Sequence, residues 1–357
     1  MKYLFLIITS LVFLCCSKSE NNNESQILVI NNEDTSTSNE ETSDTEATSN
    51  NNDESGTENS SSSDETTSSE ESSSNDQSDP LLNDISEMKS LFESFDGVIT
   101  SNDSQFFYVS SNGLPSHNMM VGITNWQQQI PINQNYSDSN SWSIPIKPEI
   151  SNSPLSSKSN FMTGAMAIAV NGIPIFNPLN NRGEDASEIG ELDQWGGHCG
   201  KADDYHYHLP PTHLSEIVGK NNPIAYSLDG FPIYGTTTKT LDENLGILNS
   251  DGSYHYHTIN DYPYFIANMK GKVTVLGSAP NNQIIPQPKT IPIRPSLTPL
   301  NGAEITNFSK TSESSYTLTY TLNSEIYSIN YSWDNSGHYY FTFTDSQGNS
   351  TTETYHN

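Results

Sequence analysis

Residues 171–176 read Asn-Gly-Ile-Pro-Ile-Phe, and residues 229–234 repeat this pattern as Asp-Gly-Phe-Pro-Ile-Tyr. Each copy is followed by the tetrapeptide Tyr-His-Tyr-His, at 205–208 and again at 254–257. Both tetrapeptides lie at the same distance from a preceding Leu-Asp pair. Matching motifs in the same order predict an internal duplication. We expect each copy to form a hairpin across its Asn-Gly or Asp-Gly turn, a connection and a short strand.

The tetrapeptide places both of its histidines on one face of a strand, because residues i and i+2 point the same way. His206 and His208 therefore share one side of the first strand. His255 and His257 share one side of the second strand, and the tyrosines take the opposite sides. Two imidazoles at this spacing can chelate one ion, and imidazole nitrogen suits zinc or copper. A single such strand is more often structural, but two in register favour one metal site shared by all four histidines.

The two copies differ just before the tetrapeptides. The first contains Gly-Gly-His-Cys-Gly at 196–200, where the second has Leu-Gly-Ile-Leu-Asn at 245–249. The predicted site is therefore asymmetric. His198 is the fifth candidate ligand, since the flanking glycines give the backbone freedom to turn it inward. Cys199 is a weaker candidate, because a lone buried cysteine is usually inert packing.

Five further residues are candidates for the edge of the site. His117 and His213 can line its rim, although simple exposure in a loop is the favoured explanation of both. Asp203, Asp204 and Asp229 can orient imidazoles by accepting a hydrogen bond from the outer N–H group. Asp229 also begins a tight turn, where aspartate has an ordinary structural role.

The residues upstream of the repeat predict one helix and then a change to β structure. Apolar residues at helical spacing predict an amphipathic helix over 79–97, with Asp79 as its cap, Pro80 in its first turn and Gly97 at its end. From 98 to 278, short aromatic and β-branched runs alternate with turn residues, which predicts a turn-rich antiparallel β domain. The candidate strands here are Phe106–Ser110, Met119–Thr124 and Ala165–Val170.

The C-terminal part continues the mainly β pattern. A proline-rich stretch at 279–302 predicts a linker. Within 303–357, aromatic and aliphatic residues alternate with Ser, Thr and Asn, as in Tyr316, Leu318 and Tyr320. This period of two predicts an antiparallel meander that covers one side of a core. The chain as a whole is therefore expected to be mainly β, with one N-terminal helix.

The N-terminal part predicts export. Residues 1–16 form a short apolar run that ends at Cys16, as in a bacterial lipoprotein signal peptide whose cysteine is lipidated. A secretory signal cut at a small-residue site is the competing interpretation. Residues 17–78 predict a disordered tether, because seventeen acidic residues and no Lys or Arg lie between Glu20 and Asp79. We expect a lipid-anchored protein of the bacterial cell envelope, on the periplasmic or surface face of the outer membrane.

Several separated motifs resemble the YHYH domain family, which is named for the tetrapeptide. They are Gly-Gly-His at 196–198, both tetrapeptides, and Leu-Asp-Gly-Phe-Pro-Ile-Tyr-Gly at 228–235. The resemblance covers roughly 106–277. It implies a secreted or anchored protein and no particular reaction, because the family is largely uncharacterised. The metal hypothesis rests on the histidine spacing and not on the family.

Two functions remain open at this stage. The first is a zinc or copper protein, with metal-assisted hydrolysis or copper redox chemistry as candidate reactions if it is an enzyme. The second is a metal-free adhesion module that contacts a glycan or protein through aromatic side chains. The net charge of −29 excludes a nucleic-acid partner, because phosphate binding needs a basic face. The expected partners are a membrane, a metal ion and a small molecule or glycan.

Overall fold

The computed structural model describes the backbone of residues 27–28 and all of residues 81–357. The predicted signal peptide, Cys16 and the helix cap at Asp79 and Pro80 lie outside these residues, as does the predicted tether apart from 27–28. Strand and helix make up 37% and 8% of the described residues, so the prediction of a mainly β chain is confirmed.

Among the described residues, the elements in chain order are as follows. The helices are α1 (Ile85–Phe92) and α2 (Ser215–Val218), with 3₁₀ turns at Asp138–Asn140, Ser157–Ser159 and Thr212–Leu214. The first sixteen strands are β1 (Ile27–Leu28), β2 (Ile99–Asn102), β3 (Phe106–Ser110), β4 (Trp142–Pro145), β5 (Ile150–Ser156), β6 (Ala165–Ala169), β7 (Pro174–Phe176), β8 (Gly197–Cys199), β9 (Tyr205–Tyr207), β10 (Ala225–Ser227), β11 (Pro232–Tyr234), β12 (Gly246–Leu248), β13 (Tyr254–His257), β14 (Asn268–Gly271), β15 (Thr274–Leu276) and β16 (Gln283–Ile285). The last five are β17 (Ala303–Ser312), β18 (Ser315–Leu322), β19 (Glu325–Trp333), β20 (His338–Thr344) and β21 (Ser350–His356).

An eight-stranded sheet carries both tetrapeptides, in the order β12-β13-β11-β10-β6-β7-β9-β8. Its two central strands, β6 and β10, pair antiparallel, and every residue of β6 is completely buried. One unit extends from β6 through β7, β9 and β8. The other extends from β10 through β11, β13 and β12. The tetrapeptide strands β9 and β13 therefore lie near opposite ends of the sheet.

The two units have the same strand pairings. In each, a hairpin strand pairs parallel with a tetrapeptide strand, through Ile175 and Tyr207 in one unit and Ile233 and Tyr256 in the other. In each, the outermost strand then pairs antiparallel with the tetrapeptide strand. The arrangement agrees with the repeat seen in the sequence, and duplication as the origin of this arrangement stays a prediction.

The hairpin turns form where the Asn-Gly and Asp-Gly pairs predict them. Gly172 has φ +77° and Gly230 has φ +96°, and these backbone conformations are strained in a residue that has a side chain. The surroundings also exclude a side chain, since a Cβ on Gly230 would lie 2.8 Å from the carbonyl oxygen of Pro145. Both glycines therefore serve the backbone.

Two predicted elements differ from the structure. Helix α1 begins at Ile85, and residues 81–84 are not helical, because the Asp84 side chain accepts hydrogen bonds from the backbone N–H groups of Ser86 and Glu87 and so caps the first turn. The predicted strand at 119–124 is a series of turns. Met120 has φ +70° and Gly122 has φ +94°, which an extended strand cannot contain. The predictions at Phe106–Ser110 and Ala165–Val170 are confirmed, the latter ending one residue earlier.

The C-terminal meander is confirmed as five antiparallel strands in the order β17-β18-β19-β20-β21. Its inner face packs on the domain that precedes it: the Tyr331 hydroxyl donates to the carbonyl of Pro131 at 2.7 Å. The predicted linker at 279–302 contains β16 and the buried Arg294, so it is packed against the domain and does not act as a spacer. Within the described residues, the structure contains no helix of the length and apolar character needed to span a membrane.

Candidate metal centre

Three histidines of the first unit meet on one face of the sheet. His198 in β8 lies directly opposite His206 in β9, and His208 follows two residues later on the same face as His206. One nitrogen from each ring lies within 4.8 Å of the other two. This is the convergence of His198, His206 and His208 that the sequence predicts for the first copy.

The hydrogen bonds of the outer ring nitrogens determine which nitrogens face the centre. The Nδ1 of His206 donates to the backbone carbonyl of Asp204 at 3.0 Å, and the Nδ1 of His208 donates to the carbonyl of Asn177. A carbonyl oxygen can only accept, so both Nδ1 atoms carry the proton and both Nε2 atoms carry a lone pair. These are the tautomers that bind metal through Nε2.

The inner nitrogens are closely spaced. The Nε2 of His208 lies 3.2 Å from the Nε2 of His206 and 3.0 Å from that of His198. His206 and His208 thus present two lone pairs to each other with no proton between them. A single neutral His198 can donate one proton from Nε2 to one of them. A cation at the centre can interact with a nitrogen lone pair from each of the three rings.

Burial disfavours a proton as that cation. Burial holds the pKa of His198 well below its ordinary value, and the neighbouring His208 and His206 lower it further. Burial and the neighbouring His206 lower the pKa of His208 to about 3. Both rings are therefore neutral near pH 7, which is the form that coordinates a metal ion.

The three histidines line a cleft of about 610 Å³. His206 and His208 are almost fully buried, whereas His198 is partly exposed. Amide side chains form much of the wall, including those of Asn180 and Gln287. An ion held by the three imidazoles therefore has a side that faces open space and can accept a further ligand.

Neighbouring groups fix the orientation of the imidazoles. The Phe176 ring stacks on His206 with centroids 3.9 Å apart and planes at 15°. The Asp204 carboxylate lies 3.5 Å from the Nδ1 of His206, so Asp204 occupies the outer position that the sequence suggested. Neither the Phe176 ring nor the Asn177 carbonyl was predicted, although the repeat aligns them with Tyr234 and Gly235.

Asp203 has a different role from the one suggested. Its carboxylate accepts hydrogen bonds from Nε and Nη2 of Arg294 at 2.8 and 2.6 Å, and both side chains are buried. It also accepts from the backbone N–H of Ile130. Asp203 therefore ties the turn before β9 to the 279–302 segment and does not contact an imidazole.

The prediction that both histidine pairs share one site is wrong. His255 and His257 lie in β13, which five strand positions separate from β9 in the sheet order. With about 4.8 Å between neighbouring strands, the two pairs are roughly 24 Å apart. The units extend outward from β6 and β10, so the repeat places the two pairs at opposite ends of the sheet.

Cys199 and Asp229 also lie away from the triad. The Cys199 thiol points to the other face of β8, where it donates to the Met120 sulfur at 3.5 Å, and burial raises its pKa well above the ordinary range. The Asp229 carboxylate accepts from the Tyr256 hydroxyl and from the backbone N–H of Gly271, both at 2.7 Å. Both residues are structural, which corrects their assignment as possible members of the metal site.

His117 and His213 lie on the tyrosine face of β9 and not at the rim of the histidine site. His117 Nε2 and the Tyr207 hydroxyl are 2.7 Å apart, and the His117 ring stacks on Trp195 with centroids 4.7 Å apart. His213 packs edge-on against His117, with centroids 5.3 Å apart. Strand alternation explains this placement, because Tyr207 points away from the face that carries His206.

Comparison with known proteins gives a match to a family model. Searches of curated proteins and of solved structures found no match. The model of the family described as YHYH protein matches residues 141–274, which include all three triad histidines and both tetrapeptides. This segment is therefore similar to the YHYH proteins, and the resemblance carried by its motifs is confirmed over those residues.

Proposed function

We propose that the chain is a metal-binding protein in which His198, His206 and His208 hold one zinc or copper ion. One observation carries this proposal: the Nε2 atoms of His206 and His208 lie 3.2 Å apart while both Nδ1 protons are given to carbonyl oxygens. Two lone pairs at this distance need a cation between them. Zinc and copper are the ions that bind imidazole nitrogen strongly.

The number of ligands supports an accessible ion. Structural zinc sites use four protein ligands, whereas sites with three protein ligands keep one position for solvent or substrate. Here the cleft borders all three histidines, and Cys199 does not supply a fourth ligand because its thiol lies on the opposite face. A bound zinc would supply Lewis-acid chemistry at this position, and a bound copper would supply electron transfer.

The chain's own residues would hold and orient the ion. The carbonyls of Asp204 and Asn177 keep the Nδ1 protons of His206 and His208 in place, so that their Nε2 atoms stay available. Arg182 donates to the Glu191 carboxylate at 2.5 Å at the wall of the cleft. Glu191 is thus already paired and stays outside the proposed ligand set.

Elemental analysis of the full chain, purified without a histidine tag and dialysed, tests the proposal. We expect close to one zinc or copper per chain. The double variant His206→Ala/His208→Ala should lose this metal, and the matched variant His255→Ala/His257→Ala should retain it. Absence of metal from the wild-type chain after exposure to both ions would overturn the proposal and favour the adhesion module.

We also propose that the chain is lipidated on Cys16 and held in the cell envelope. The support is the short apolar run that ends at Cys16, followed by an acidic stretch long enough to act as a tether. Metabolic labelling with a fatty acid in a bacterial host tests this. Wild-type chain should incorporate label and Cys16→Ser should not; equal labelling of both would contradict the proposal.

A further inference from the structure

The second tetrapeptide brings its two imidazoles as close together as the first does. The rings of His255 and His257 lie 5.0 Å apart between centroids, the same separation as His206 and His208. We propose that His255 and His257 form a second site for zinc or copper, weaker than the triad and independent of it. The inference concerns a different site from the proposed function and is measured separately.

The support of His257 matches that of His208. The Nδ1 of His257 donates to the carbonyl of Gly235 at 2.7 Å, as that of His208 donates to Asn177. This leaves the lone pair of His257 on Nε2. Tyr234 packs edge-on against His255 with centroids 5.3 Å apart, whereas Phe176 stacks on the face of His206. The orienting contact of a metal ligand is therefore present at His257.

One substitution explains why the second site is weaker. Ile247 lies directly opposite His255 in the β12–β13 pair, where the first unit has His198 opposite His206. The second unit therefore offers two imidazoles and not three. His255 and His257 are also partly exposed, so water competes for the ion and fills its other positions.

Charged groups of both signs lie near the second pair. Lys239 and Asp251 both interact electrostatically with His255, and the effect of Lys239 is the larger, which contributes to the lower affinity expected of this site. The Asn249 amide nitrogen lies 3.4 Å from the Nδ1 of His255, a long contact in which the amide donates and the ring nitrogen accepts. An ion bound through the Nε2 of His255 therefore requires the ring proton to move to Nδ1 and this contact to be lost, which also favours weaker binding than at the triad.

Zinc titration of the full chain, by calorimetry or with a competing chromophoric chelator, tests the inference. Excess Mg²⁺ should be present, because it occupies carboxylates of the acidic segment and does not bind imidazole well. We expect one tight and one weak site. His255→Ala/His257→Ala should abolish the weak site alone, and the retained tight site shows that this variant is folded. Weak binding that this variant leaves unchanged would overturn the inference.

A gain-of-function variant gives an independent measurement. Ile247→His gives the second pair a third imidazole. We expect the affinity of the weak site for zinc to rise by at least about tenfold, which is the smallest effect typical of one group that supports a metal ligand. His206→Ala/His208→Ala removes the tight site and leaves the weak one, so failure of the proposed function and failure of this inference give different titrations. A weak site that Ile247→His does not strengthen would contradict the assignment to His255 and His257.

Discussion

His198 and Ile247 occupy the same position in the two units of the sheet, each directly opposite the first histidine of a tetrapeptide. Because the flanking pairings are also the same, this one difference separates a three-histidine cluster from a two-histidine pair. The contrast provides controls within one chain: each change to the first unit has a counterpart in the second.

Metal binding should stabilise the fold through the triad. An ion that binds only the folded state raises the free energy of unfolding by about 2.7 kcal/mol when its free concentration is 100 times the dissociation constant. We expect this gain for the wild-type chain in urea unfolding with zinc. His206→Ala/His208→Ala should show no such gain at that concentration, whereas His255→Ala/His257→Ala should. An equal gain in the wild-type chain and in both variants would mean that the stabilising ion does not bind at the triad.

Asp204→Asn should weaken the triad without removing a ligand. The carboxylate lies 3.5 Å from the Nδ1 of His206, and loss of its charge lowers the basicity of the ring. We expect metal affinity to fall by roughly tenfold, the smallest loss typical when a group that orients a metal ligand is removed. The loss is small because the Asp204 carbonyl still accepts a hydrogen bond from the Nδ1 of His206. Competition titration measures the change. An unaltered affinity would show that the carbonyl alone orients the ring.

Cys199→Ala should leave metal binding unchanged. The thiol contacts the Met120 sulfur on the opposite face of β8, so no change in the triad is expected. The free energy of unfolding should fall by on the order of 1 kcal/mol, since a buried sulfur is lost from the core. Loss of the metal from this folded variant would show that the thiol is a ligand.

The repeat and the histidine spacing were enough to predict the hairpins, the tetrapeptide strands and the shared face of His206 and His208. His198 was expected to join them because of its flanking glycines. They could not predict the distance between the two units. That distance depends on β6 and β10 pairing at the centre of the sheet, and nothing in the tetrapeptides encodes this pairing. Helix α1 begins at Ile85 for a local reason, because the Asp84 side chain accepts hydrogen bonds from the first backbone N–H groups of the helix.

The segment at 279–302 illustrates another limit of the sequence. Its prolines predicted a linker, yet Arg294 within it forms a buried ion pair with Asp203. Arg294 is one of two arginines in the chain, but its partner is 91 residues away, and a contact over that separation leaves no local pattern.

Arg294→Met should therefore destabilise the fold strongly. It leaves the Asp203 carboxylate buried without its partner, which costs about 3–5 kcal/mol of unfolding free energy. Lys272→Met is the matched control, because Lys272 pairs with Glu149 at 2.8 Å on the surface, and its loss should cost less than about 1 kcal/mol. Urea unfolding measures both. Similar small losses in the two variants would contradict a supporting role for the Arg294 pair.

X-ray absorption at the metal edge tests the central claim most directly. For the wild-type chain loaded with one equivalent of zinc, which fills the tight site first, we expect three imidazole nitrogens and one further light atom at about 2.0–2.1 Å. A sulfur ligand at about 2.3 Å, or a shell of oxygen atoms without imidazole scattering, would contradict a centre built from His198, His206 and His208.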